Sequence, residues 1–91
     1  MILHVVEATY EDGYRIRFRF NDGAEGVADL KDALVGEMFE PLRDLNMFKR
    51  FRVDPELETI VWENGADFAP EFIRDLLLVE AVGEEPEEYG R

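Results

Sequence analysis

From residue 2 to residue 30 polar and apolar side chains alternate at most steps, and the strictest run is Tyr14–Phe20, YRIRFRF. Arg15, Arg17 and Arg19 take one side of it, and Ile16, Phe18 and Phe20 take the other. A period of two describes a half-buried strand and does not describe a helix. Two short loops interrupt the alternation, Glu11-Asp12-Gly13 and Asn21-Asp22-Gly23. Each ends in glycine, which accepts the left-handed backbone at the close of a three-residue hairpin loop. Strands at about 2–10, 14–20 and 24–30 follow, paired as a three-stranded antiparallel meander.

That loop length fixes a register. Tyr10 should face Tyr14, which sets Thr9 against Arg15, Glu7 against Arg17 and Val5 against Arg19. On the other side Phe20 should face Ala24, which sets Arg19 against Glu25, Arg17 against Val27 and Arg15 against Asp29. Every arginine then has an acid across from it on one neighbouring strand. The opposite face gathers His4, Val6, Ala8, Tyr10, Tyr14, Ile16, Phe18 and Phe20, with Phe18 over Gly26 and Ile16 over Ala28. Large residues opposite small ones interlock as a core face requires. The arginine stripe therefore reads first as a sheet face neutralised by its own acids, and second as a protein-binding strip.

Beyond Leu30 the period changes. Leu30, Ala33 and Leu34 are spaced as one helical turn that Gly36 ends, and a second short helix should begin near Glu40-Pro41 and stop at Asn46. Phe51-Arg52-Val53 and Thr59–Trp62 are β-rich runs joined by Asp54-Pro55-Glu56-Leu57-Glu58, a second hairpin. Asn64-Gly65 reverses the chain, and Asp67 is expected to cap a C-terminal helix whose apolar stripe is Phe68, Phe72, Ile73, Leu76 and Leu77. The fold class is α+β: the meander, short helices, a second β-hairpin and a C-terminal helix. One domain should occupy residues 1–79. Residues 80–91 should form a disordered acidic tail, too poor in apolar side chains to order itself.

Composition narrows the chemistry. The 91 residues contain no Ser, Cys or Gln and a single His, so neither a Ser–His nor a Cys–His nucleophile system can be assembled. Without cysteine there is no disulfide and no thiolate zinc site, and no carboxylate spacing resembles a calcium loop. No catalytic, metal or cofactor residue is assigned. His4 falls on the core face, where a partly buried histidine is expected rather than a base or ligand. The formal net charge is -12; five glutamates and Arg91 lie in 80–91, which leaves 17 acids and nine bases before them. Such a chain repels nucleic acid and anionic membranes and favours basic partners. The basic cluster Arg43, Lys49, Arg50 and Arg52 is too small to reverse that balance. No apolar run is long enough to span a bilayer, and Glu7 comes too early for a signal peptide, so the expected residence is cytoplasmic.

Three stretches, FNDGAEGVADL, FEPLRDLNMFKRFRVDPELETIVW and WENGADFAPEFI, together resemble a bacterial family of unknown function, domain of unknown function 2442. The features that carry the resemblance are Phe20, Asp22 and Gly23; Gly26, Asp29 and Leu30; Phe39, Pro41, Leu42, Asp44 and Phe48; and Trp62, Asn64, Gly65, Ala66, Asp67, Pro70 and Glu71. The resemblance spans about residues 1–78 and implies a small α+β domain with no catalytic residues to carry over. Some members carry an added helix-turn-helix region, which these residues are expected to lack. Members also tend to be encoded beside another small protein in an arrangement like a toxin–antitoxin pair. The expected role is a non-enzymatic module that binds another protein, small and basic, with Trp62, Phe68, Asn64 and Asp67 as contact region and Arg15, Arg17 and Arg19 as second choice. Two rivals remain: a ligand binder or carboxylate-dependent enzyme around Asp67 and Asn64, and a homodimer formed through the open sheet edge.

Overall fold

A computed structural model describes residues 2–81. The meander consists of β1 (Val5–Asp12), β2 (Arg15–Phe20) and β3 (Glu25–Asp29), all antiparallel. Between β2 and β3 the pairs are Arg19–Glu25, Arg17–Val27 and Arg15–Asp29, with Phe18 over Gly26 and Ile16 over Ala28, as the loop length requires. The loop closes by hydrogen bonds from Phe20 N–H to Ala24 O and from Gly23 N–H to Phe20 O, with Gly23 at φ 90°.

The first hairpin departs from its expected register. Thr9 faces Arg17 and Glu7 faces Arg19, two residues away from the pairing that a three-residue loop would impose. The loop is Gly13-Tyr14, and Glu11 is the extra residue of a bulge between Tyr10 and Asp12. A two-residue slip keeps each side chain on its face. It also leaves Tyr14 free to pack edge-on to Phe48, with ring centroids 5.2 Å apart. A second bulge places Val6 outside the pairing, so that Val5 faces Phe20. Val5 is buried and Val6 is 42% exposed, the reverse of the expected order. Asn21 accounts for this: its side chain accepts from His4 N–H at 2.9 Å and donates to Ile2 O at 2.7 Å. Val5 N–H meanwhile reaches Glu58 O in the second hairpin, at 3.0 Å. Held at these points, the strand accommodates its extra residue by bulging at Val6.

The middle segment is built from tight turns. Lys31–Ala33 and Glu40–Arg43 are single 3₁₀ turns, and α1 is Leu45–Phe48. Asn46 stands inside α1 rather than ending a helix, because Asp44 caps it by accepting from Asn46 N–H at 2.9 Å. β4 (Arg52–Asp54) and β5 (Thr59–Val61) form the second hairpin. Asp54 Oδ1 accepts from the backbone N–H of Glu56 and of Leu57, shaping its loop. α2 spans Pro70–Leu76. Its N-cap is Ala69 without any side-chain cap, so Asp67 does not cap it; Pro70 opens the first turn two residues beyond where Asp67 could serve.

One strand was not anticipated. β6 (Leu78–Ala81) leaves α2 directly and pairs with β3, giving the sheet order β1-β2-β3-β6. The edge of β3 that a three-stranded meander would leave open is therefore paired. The tail expected from residue 80 lies, from 82 onward, outside the described residues. Ile16, Phe18 and Phe20 pack with Leu30, Leu34, Leu42, Phe48, Ile60 and Ile73, all buried in one core beneath the sheet.

Candidate functional site

Each arginine of the stripe has a carboxylate beside it, all from β1. Arg15 Nε lies 3.3 Å from Asp12, Arg17 Nε 3.0 Å from Glu11, and Arg19 Nη2 2.9 Å from Glu7. The bulged Glu11 supplies the acid for Arg17, so all three ion-pair partners differ from the acids expected, Asp29 for Arg15, Glu7 for Arg17 and Glu25 for Arg19, while the neutralisation stands. Between the pairs is a shallow depression of about 120 Å³, lined by Glu7, Thr9, Arg17, Phe18, Arg19 and Glu25. Its opposite charges already face one another, and these exposed pairs hold by short-range attraction of modest strength. The other basic cluster is similarly engaged. Arg43 Nε donates to Leu34 O, Arg52 meets Asp54 at 3.2 Å, Arg50 meets Glu63 at 4.0 Å, and Lys49 lies over the Tyr10 ring.

The expected aromatic contact region is interior. Trp62 is 3% exposed and donates its indole N–H to Phe48 O at 2.8 Å. Phe68 is 8% exposed and sandwiched between Phe39 and Phe72, with centroids at 4.6 and 5.2 Å. A partner cannot reach either ring through the intact surface. Asn64 and Asp67 are exposed. Asn64 works as a clamp: its amide donates to Met38 O at 2.9 Å and accepts from Ala66 N–H at 3.1 Å. Gly65, at φ 90°, closes that turn with its N–H on Trp62 O. Asp67 forms an isolated bridge to Val61 through its backbone. The chain reversal at 64–67 is thus architectural. His4 Nδ1 approaches a Glu58 carboxylate at 3.2 Å, near enough for an ion pair but not aligned as a hydrogen bond. Among the described residues no three His, Asp or Glu side chains are gathered as a metal ion requires, and no helix is long and apolar enough to cross a membrane.

A different surface combines apolar exposure with charge. Along α2 and the residue that follows it, the pairs Phe72/Leu76 and Ile73/Leu77, each four residues apart, form two neighbouring ridges. Ile73 and Leu77 are buried; Phe72 and Leu76 are 42% and 38% exposed. Beside the exposed ridge runs a cleft of about 220 Å³, lined by Phe72, Leu76, Ala33, Asp29 and Asp32. The cation of α2 turns elsewhere: Arg74 Nε donates to Asp22 Oδ2 at 3.2 Å. Asp22 has a carboxyl held below the usual range, chiefly by accepting from Ala24 N–H and further by Arg74. Asp54 is likewise held down, by the N–H groups of Leu57 and Glu56 and then by Arg52.

A family model described as "Protein of unknown function (DUF2442)" matches residues 5–76. The chain belongs to this family. No curated protein and no solved structure matches the DUF2442 chain. The matched span contains both hairpins and α2, and ends before β6. Within the DUF2442 domain the residues that sequence reasoning passed over are Phe72, Leu76 and Asp32. A signal for the first two was present: a stripe holding adjacent positions, 72 with 73 and 76 with 77, is wider than one packed side of a short helix can bury.

Proposed function

We propose that this DUF2442 domain is a non-enzymatic protein-interaction module whose contact surface is the Phe72/Leu76 ridge of α2 together with Ala33. The observation that carries the reading is the exposure of two large apolar side chains, four residues apart, at the rim of a cleft. Ligand pockets for small molecules usually enclose about 300–1,000 Å³, more than this cleft holds. A cleft of this size suits one or two side chains of a partner, with Phe72 as the aromatic anchor. The antitoxin-like member of a two-protein pair, the role that the family resemblance implies, is one form that such a module takes.

The test uses the full chain as bait, identifies the captured protein and reconstitutes the pair from purified components. A one-to-one complex is expected, with Phe72→Ser weakening it about tenfold or more. If no purified pair reconstitutes, while a metal ion or metabolite raises the melting temperature by several degrees, the chain is a ligand binder instead.

A further inference from the structure

The cleft beside Phe72 has a chemical polarity that narrows its occupant. Its lining joins three apolar residues, Phe72, Leu76 and Ala33, to two acids, Asp29 at the end of β3 and Asp32 in the following 3₁₀ turn. We infer that the cleft takes a cationic amphipathic segment of another protein, an aliphatic side chain against Phe72 and Leu76 with a lysine or arginine reaching Asp29 and Asp32. This rests on the protein-binding reading and adds the charge of the partner to it.

Charge complementarity decides among occupants. Arg74, the cation on α2, is drawn to Asp22 and does not line the cleft. Asp29 spends one oxygen on Lys31 N–H at 3.0 Å, which orients the carboxylate without changing its charge. A second copy would bring a net charge of -12 against the same charge, and so is repelled. The chain's own residues 82–91 hold four glutamates against one arginine and meet the same repulsion from Asp29 and Asp32. An acidic or neutral partner would desolvate the two carboxylates while bringing no opposite charge of its own, which costs binding free energy. A cationic segment gains on both counts. Lysine and arginine also carry aliphatic stems that lie along apolar surface while the charged end stays at the rim.

The probe is a synthetic amphipathic helical peptide of leucine and lysine, compared with its leucine–glutamate counterpart, each titrated into the full 91-residue chain by fluorescence anisotropy. Binding of the lysine peptide and not of the glutamate peptide is expected, with amide chemical-shift changes confined to Asp29–Ala33 and Phe72–Leu76. The double variant D29N/D32N should weaken it about tenfold. The double variant E56Q/E63Q removes the same charge from exposed positions elsewhere and should change it less than about twofold. Asparagine at position 29 keeps the acceptor for Lys31 N–H, and circular dichroism checks that every variant is folded. Equal weakening by both doubles, or equal binding of the glutamate peptide, overturns the assignment. If Phe72→Ser abolishes binding of the reconstituted partner while D29N/D32N does not weaken it, the charge inference fails and the protein-binding reading stands. If neither substitution matters to that partner, both fail.

Discussion

At Trp62 an indole N–H and the carbonyl of Phe48 satisfy one another inside the core, and the ring also meets Phe68 edge-on with centroids 5.8 Å apart. Removing the donor leaves a buried carbonyl without its partner, a loss of about 1–3 kcal/mol before any cavity is counted. Trp62→Phe should therefore lower the urea midpoint substantially, whereas a surface contact residue would lower affinity and leave the midpoint alone. Thr59 is a second buried polar group whose bond is internal, donating to Phe68 O at 2.6 Å. Asp22 makes a prediction of another kind. Its folded carboxyl titrates below the usual aspartate range, because Ala24 N–H and Arg74 favour the charged form. A depressed folded value means stabilisation that is complete above the unfolded value and is lost as pH falls through the folded one. Asp22→Asn should thus cost stability at pH 7, and the gap between wild type and variant should close as pH drops below about 3.8. Parallel chemical denaturation at several pH values measures that gap. A gap that stays constant down to pH 2 would remove Asp22 from the acid limb.

Elements differ in how legible they were, and the reasons are local. The β2–β3 register could be read because Gly23 takes the left-handed backbone that closes a three-residue loop and because a one-residue slip would bury Glu25. The β1–β2 register could not, because a two-residue slip preserves the faces of Glu7 to Tyr10 and therefore leaves their alternation unchanged. What chose the observed pairing was tertiary: the grip of Asn21 on His4 and Ile2, the bond from Val5 to Glu58, and the packing of Tyr14 on Phe48. β6 was hidden for a related reason. Leu76-Leu77-Leu78-Val79 contains neither glycine nor proline, yet the chain turns extended at Leu77, ψ 129°, where the open edge of β3 offers pairing. The exposed Phe72/Leu76 ridge is half legible in the sequence, since the stripe of α2 shows its apolar positions but not which of them the fold buries. The bulge at Val6 supplies a direct check. Val5→Ala should cost about 1.5–3 kcal/mol and Val6→Ala close to nothing. The uninterrupted alternation predicts the opposite ranking, so thermal or urea unfolding of the two variants separates the two registers.

At the scale of the whole molecule the ruling quantity is the imbalance of 22 acids against ten bases. Two electrostatic effects compete. Ion pairs such as Arg19–Glu7 and Arg17–Glu11 stabilise the folded state across about 3 Å, well inside the screening length at any ordinary salt concentration. Repulsion among the excess acids acts across the width of the domain, mostly beyond 10 Å, where screening is strong. Added salt therefore removes more repulsion than attraction. Each exposed pair contributes only about 0–1 kcal/mol in any case, so its weakening cannot offset relief of the larger field. The melting temperature should rise as sodium chloride is raised from about 10 mM, where the screening length is about 30 Å, to about 0.1 M, where it is about 10 Å. A fall over that interval would mean that the arginine stripe, and not the excess charge, dominates the electrostatics of the fold. Binding should respond in the other sense: the lysine peptide in the Asp29/Asp32 cleft should loosen over the same interval while the domain itself grows more stable. Opposite slopes for stability and affinity, measured on one sample series, would separate the charge that the molecule tolerates from the charge that it uses.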